Sequence, residues 1–309
     1  MSIYYFLVNP NSRSGAGKTV WLSIKKELEL KKISYEVYMT RYVGHAKKLA
    51  AHISRKGSPS NPVHLIALGG DGTIHEVFSG ISDPDSVIFG FIPTGSGNDF
   101  CRGMHIPQNA PEALDTILRE EYITELDMPS VEAGKDSLHF GISTGIGYDA
   151  AVCHEVSASQ AKIFLNRLHL GKLVYLFVAL KQILFTKPEE AILTLDNNRT
   201  YHFKKMYFAA VMNQPYEGGG FKFCPEASPG DGFLDIIVVD SMPKLMILCC
   251  LPLAFPGKHT RIPGIHIFRS KQVTVACKSP LPIHVDGEEK GIRKTLSVGI
   301  GGKKLRMIV

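Results

Sequence analysis

Residues 63–77, VHLIALGGDGTIHEV, join an apolar run to a glycine turn and then to a helical pattern. The run Val63–Leu68 reads as a strand buried on both faces, the mark of a parallel sheet. It breaks at Gly69-Gly70-Asp71-Gly72-Thr73 and resumes as Ile74-His75-Glu76-Val77-Phe78. Glycines at a strand-to-helix turn let backbone N–H groups approach a ligand, and the new helix points its positive end there. The stretch therefore predicts a phosphate cradle holding one carboxylate, Asp71, placed to face Mg²⁺. The same Gly-Asp-Gly chemistry also builds an ordinary βα turn, so the neighbouring stretches must decide.

Downstream, Val87–Phe91 reads as the next strand and ends in PTGSGNDF at 93–100, which carries Gly95, Ser96, Asn98 and Asp99. Two glycine loops after consecutive strands would lie side by side on one edge of a parallel sheet, where nucleotides bind. Upstream, Ile3–Val8 is a first strand, followed by NPNSRSGAGKT at 9–19 and a helix expected from about Val20 to Lys31. A P-loop needs Gly where Ser12 stands. What remains is a looser phosphate-facing turn with Asn9, Ser12 and Gly15 near a helix N-terminus. Strand Ser34–Met39 ends at Thr40, and Gly44–Ile53 reads as a helix. Thr40 then sits at a ligand-binding strand end or serves as a capping hydroxyl.

The chain has 309 residues, enough for two domains, with 44% hydrophobic and 21% charged residues. A net charge of +6 suits a phosphate-bearing ligand or an anionic membrane surface, without requiring either. No nucleic-acid-binding signature occurs, so no nucleic-acid partner is expected. Six cysteines lack any Cys-x-x-Cys pair, which predicts reduced thiols in a cytoplasmic protein. The longest uncharged apolar stretch, Leu245 to Phe255, is too short to span a bilayer.

GGDGTIHEV followed by P-x-G-[ST]-x-N-D-F resembles the catalytic domain shared by diacylglycerol kinases, sphingosine kinases and soluble bacterial lipid kinases. NPNSRSGAGK resembles that family's N-P-x-S-G-x-G-K, and Thr40 with Gly44-His45-Ala46 resembles its nucleotide-contacting threonine and helix start. An insertion between Ser12 and Gly15, and Ser96 in place of the commoner threonine, are the departures. The resemblance implies a Rossmann-like α/β domain of phosphofructokinase/NAD-kinase type over 1–128, rejoined by a C-terminal strand at 296–309. It implies a mainly β sandwich, which binds the lipid substrate, over 129–295. Strand-and-turn composition after residue 137 predicts the sandwich independently. A helix is expected over roughly 160–185, its apolar stripe packing on the sandwich rather than on a membrane.

EGGGFKFCPEASPGDGFLDI at 217–236 resembles the family's structural Mg²⁺ loop. That implies ligation by the Asp231 side chain with the Ser228 and Phe233 carbonyls, and Asp127 linked to the metal through water. A plain Asp-Gly turn uses the same residues. The strand ending at Asp286-Gly287-Glu288 resembles the segment carrying the family's general base, which implies Glu288 in that role, across a domain cleft from Asp71.

The expectation is an ATP- and Mg²⁺-dependent lipid kinase acting on a membrane alcohol such as diacylglycerol. Nucleotide contacts are expected from Asn9, Ser12, Thr40, Gly69, Gly70, Asp71, Gly72, Thr73, Gly95, Ser96, Asn98 and Asp99, with Asp71 and Glu288 as the catalytic pair. The enzyme would be cytoplasmic and peripherally membrane-associated, with a homodimer possible. The alternatives are a kinase of NAD or another small molecule, and a non-catalytic nucleotide- or lipid-binding regulator on the same fold.

Overall fold

The computed structural model describes residues 3–95, 98–133, 136–158, 178, 181–183 and 185–309. Ser96 and the apolar stripe expected at 173–184 lie outside the described residues. The chain divides into two compact units, residues 1–128 with 301–309, and residues 129–300. The C-terminal return thus begins at Gly301 rather than at 296, because Leu296 and Val298 are buried in the core of the second unit.

In the first unit, β1 (Tyr4–Val8) lies between two parallel partners, β2 (Tyr35–Met39) and β3 (Val63–Gly69). Strand β4 (Val87–Pro93) runs parallel to β3, and Arg306 and Met307 of the C-terminal strand add alongside β4. Every residue of β3 and β4 is buried, as their unbroken apolar sequence demands of strands covered on both faces. The covering helices are α1 (Ser12–Leu30), α2 (His45–Ser54), α3 (Asp71–Phe78), α4 (Asp99–Gly103) and α5 (Ala110–Arg119). Phe78 packs on Phe89 and Phe100 at centroid distances of 5.2 and 5.6 Å, and Trp21 meets Phe6 at 5.4 Å. The chain passes from β1 to β2 on one side and returns to β3 on the other. That switch point is where open α/β sheets bind ligands.

Helix α1 starts at Ser12, eight residues before the expected Val20. The glycines that look like loop are accommodated inside it. A Cβ on Gly17 would lie 2.2 Å from the Asn9 carbonyl oxygen and 2.3 Å from Ser12 Oγ, so glycine lets the helix press against the turn.

The second unit is an antiparallel assembly. It contains β7 (Ser143–Gly147), β8 (Glu189–Leu195), β9 (Thr200–Met212), β12 (Leu234–Asp240), β13 (Ile265–Ser270) and β14 (Gln272–Val285). Preceding β7 are β5 (Ile123–Ala133), which enters from the first unit, and β6 (Asp136–His139); α6 (Tyr148–Ala158) follows it. Between β9 and β12 lies a hairpin of β10 (Tyr216–Glu217) and β11 (Phe221–Lys222). Helix α7 (Lys244–Ala254) follows β12, and β15 (Glu288–Ile308) runs from this unit back into the first. One core, including Phe140, Ile146, Val211, Ile236, Ile283 and Leu296, is wholly buried.

Candidate active site

The crevice of the first unit is built by three loops that bind one another. After β1, Asn9 Nδ2 donates to Thr73 Oγ1 at 3.0 Å, and Ser12 Oγ lies 2.6 Å from Thr94 Oγ1. Ser12 Oγ also donates to the Asn9 carbonyl at 2.8 Å. After β3, the turn holds Thr73 folded back so tightly that a Cβ on Gly69 would sit 2.3 Å from Thr73 Oγ1. After β4, Thr94 N–H donates to the Gly69 carbonyl at 2.7 Å. The two glycine turns touch: a Cβ on Gly70 would meet Gly95 Cα at 3.4 Å, and one on Gly95 would meet Gly70 Cα at 3.1 Å. A pocket of about 230 Å³ opens here, lined by Asn9, Asn11, Thr40, Gly72, Thr73 and Glu76 among others.

Asn9, Ser12, Thr40, Gly69 to Thr73 and Gly95 therefore converge. Glu76, Thr94 and Gly17 escaped the sequence reading. Glu76 accepts from Gly44 N–H at 2.7 Å and Ala46 N–H at 2.9 Å, so it caps α2 and fixes the loop that carries Thr40. Its partners are 32 and 30 positions away, which leaves no local signal.

Asp71 is half-buried at the first residue of α3. Burial, and then the Asp71 charge, push the Cys101 thiol of α4 well above its ordinary pKa. Asn98 adopts a left-handed conformation at φ 51°, and its buried Oδ1 has no hydrogen-bond partner among the described residues. Asp99 is paired with Arg102, so its carboxylate braces α4. One hard carboxylate beside glycine turns fits Mg²⁺, which is commonly held by one or two carboxylates together with nucleotide phosphates.

In the second unit, Asp286 (φ 48°) and Gly287 (φ 77°) form a tight two-residue turn between β14 and β15. The Asp286 carboxylate accepts the N–H groups of Gly141, Ile142 and Ser143 at 3.0, 2.8 and 3.1 Å, so it anchors the hairpin. Glu288, the next residue, is exposed at the start of β15. The loop at 228–233 is closed by its own contacts. Asp231 Oδ1 accepts the Phe233 N–H at 2.9 Å, its Oδ2 pairs with Arg269, and that guanidinium stacks 4.6 Å over the Phe233 ring. Arg269 thus brings a positive charge to the carboxylate for which the resemblance implies Mg²⁺. As folded, the Asp231 carboxylate is engaged by the Phe233 N–H and by Arg269. Asp127, in the first unit, is buried with its Oδ1 3.8 Å from Lys304 Nζ.

Residues 4–131 match the family model of the diacylglycerol kinase catalytic domain, and residues 142–307 match that of the YegS C-terminal NAD kinase beta sandwich-like domain. The chain belongs to the diacylglycerol kinase catalytic-domain family. It is 34% identical over 297 residues to a Bacillus subtilis protein named "Putative lipid kinase YtlR", covering 94% of each chain. It is 27% identical to a diacylglycerol kinase of Staphylococcus saprophyticus over 286 residues, 92% of this chain and 88% of that one. A solved structure described as "a putative diacylglycerol kinase from Bacillus anthracis str. Sterne" superposes with a TM-score of 0.77 at 23% identity. It covers 99% of this chain and 96% of that one, a likeness of fold. Membership in a kinase family implies ATP as phosphate donor.

Two properties of this lipid-kinase-family chain are open to direct measurement. If Arg269 rather than Mg²⁺ closes the 228–233 loop, a chelator should leave the melting temperature of the wild type unchanged. Asp231→Ala should then melt lower with or without Mg²⁺, and a fall in the wild-type melting temperature on chelation would restore the metal. The second property is the buried His284. Its Nε2 lies 2.6 Å from Asp149 Oδ2 and 3.5 Å from Glu217 Oε1, all three ligand atoms lying within 4.8 Å of one another. Burial alone would lower the imidazole pKa, but the two carboxylates outweigh it and raise the pKa to about 9. The proton that faces the acids sits on Nε2, while Nδ1 accepts the Gly287 N–H at 3.2 Å. A folded-state pKa above the unfolded value gives stability that is full below about pH 6.5 and is lost as pH rises through about 9. Thermal melts of the wild type should fall across that window, and those of His284→Gln should not; equal slopes would contradict it.

Proposed function

We propose that the protein transfers the γ-phosphate of ATP to the hydroxyl of a membrane lipid, diacylglycerol or a related lipid alcohol, with Mg²⁺. The observation that carries this reading is the contact of Gly70 with Gly95 at the switch point, with Asp71 beside it. Phosphoryl transfer asks the protein mainly for positioning and charge neutralisation. The loops after β1 and β3 line the pocket together with Thr40 and Glu76, and the loop after β4 adds backbone groups where Gly95 meets Gly70. Mg²⁺ bound with the nucleotide beside Asp71 would supply neutralisation of phosphate charge. Asp71 holds that charge in place, and Glu288 accepts the proton of the acceptor hydroxyl. The lipid as acceptor is supported by the names of the relatives and by the resemblance of PTGSGNDF to lipid kinases.

The test is a panel of diacylglycerol, phosphatidylglycerol, sphingoid bases and polyprenols in mixed micelles, with NAD as a soluble acceptor, scored for label from γ-labelled ATP. Label in one lipid class, dependent on Mg²⁺, is expected. Label in NAD alone would replace the lipid acceptor, and ATP binding without transfer to any acceptor would favour a regulator.

A further inference from the structure

Helix α7, KLMILCCLPLA, is apolar all round after its first residue, and among the described residues one side of it is buried while the other is exposed. Ile247, Cys250 and Ala254 pack inward, whereas Leu245 is 73% exposed, Leu253 40% and Phe255 50%. Cys249 is exposed on the same uncovered side. Phe221 of β11 stacks on Phe255 at 4.1 Å and extends the patch beyond the helix. A contiguous apolar patch on a surface is costly unless something covers it.

The charged groups beside this patch are mostly basic, with Glu226 the acid among them. From Ser241 to Arg261, the span of α7 and the turn after it, the chain carries Lys244, Lys258 and Arg261 and no Asp or Glu. Lys258 and Arg261 are exposed in the short helical turn on which α7 packs. Lys222 approaches the same turn: a Cβ on Gly257 would lie 3.6 Å from its Cβ. The adjoining segment 221–228 holds one acid, Glu226. A two-fold contact with a second copy would set these bases against themselves. A surface of anionic headgroups over acyl chains satisfies both the bases and the apolar side chains.

We propose that the face formed by α7, Phe255 and Phe221 docks on an anionic lipid bilayer, with Lys222, Lys258 and Arg261 at headgroup level. The inference rests on the lipid-kinase reading for its choice of membrane over protein. It names the surface that would bring the enzyme to its acceptor. Helix α7 lies in the interface plane with Leu245, Cys249, Leu253 and Phe255 toward the acyl chains.

Cys249 is the one exposed cysteine of the six, and Cys153 is half-buried. In a full-length Cys153→Ser variant, Cys249 can carry an environment-sensitive fluorophore. Added vesicles of phosphatidylcholine with phosphatidylglycerol should shift its emission to the blue. Phosphatidylcholine vesicles alone, or raised salt, should weaken the shift. The unlabelled Leu245→Ser/Leu253→Ser protein should lose vesicle partitioning by roughly tenfold or more, as expected from losing two apolar side chains. Flotation with the probe unmoved would overturn the proposal, as would no binding to either vesicle. A blue shift that follows protein concentration without vesicles would assign the face to a second copy instead. Phosphate transfer to micelle-dispersed lipid, measured on the same preparation, separates the two readings. Transfer with an unmoved probe sinks this surface alone; an inserted probe without transfer to any lipid sinks the kinase reading alone.

Discussion

Glu288→Gln should lose phosphate transfer by roughly 10²–10⁴-fold, the usual contribution of a positioned general base, while ATP affinity stays near that of the wild type. The carboxylate is exposed on the first residue of β15, and its backbone pairs with Val285 whatever the side chain. Surface substitutions of this kind usually change stability by no more than about 0.5 kcal/mol. The anchor of the hairpin, Asp286 on three backbone N–H groups, is untouched. A large loss of turnover with an unchanged melting temperature would therefore mark Glu288 as chemical. Near-full activity on the best lipid would remove it from the mechanism. Circular dichroism melts and initial rates on the same preparation decide between the two.

Asp71→Asn should be nearly as damaging and equally silent in stability. A carboxylate in the first turn of a helix contributes about 0.3–1 kcal/mol through the helix dipole, so the fold should survive. Removing one preorganised electrostatic group from a transition state costs roughly 10²–10³-fold in rate. The rate effect thus outweighs the stability effect. The loss should also grow as Mg²⁺ falls below saturation, because asparagine holds the ion less firmly than a carboxylate. A variant with the Mg²⁺ dependence and rate of the wild type would place the metal elsewhere.

Much of the first unit was legible because its signals are local. Unbroken apolar runs marked β3 and β4, and glycine at both strand ends marked turns whose backbones nearly touch. The start of α1 was misread because Ser12, Gly15 and Gly17 carry the composition of a loop. Gly17 is required by the helix pressing on the Asn9 carbonyl, which only the folded chain reveals. The same blindness hid partners far apart in sequence: Ser12 with Thr94 across 82 positions, and Asp231 with Arg269 across 38. In the second case the motif gave the carboxylate but not its partner Arg269. The sandwich strands were legible from alternation and turns; the residue where the chain leaves that unit was not, since burial of Leu296 and Val298 has no local sign.

The claim on which the whole account rests is that ATP binds where the two glycine turns meet. Gly70→Val tests it with little ambiguity. Gly70 has φ −116° and ψ −172°, an extended backbone that valine adopts without strain. Its Cβ would rest in van der Waals contact with Gly95 Cα, 3.4 Å away, and its methyl groups would fill the space through which a phosphate must approach the turn. Calorimetric titration with ATP and Mg²⁺ should show binding to the wild type and none to Gly70→Val, with both proteins melting at similar temperatures. Equal ATP affinity in the two would contradict the account.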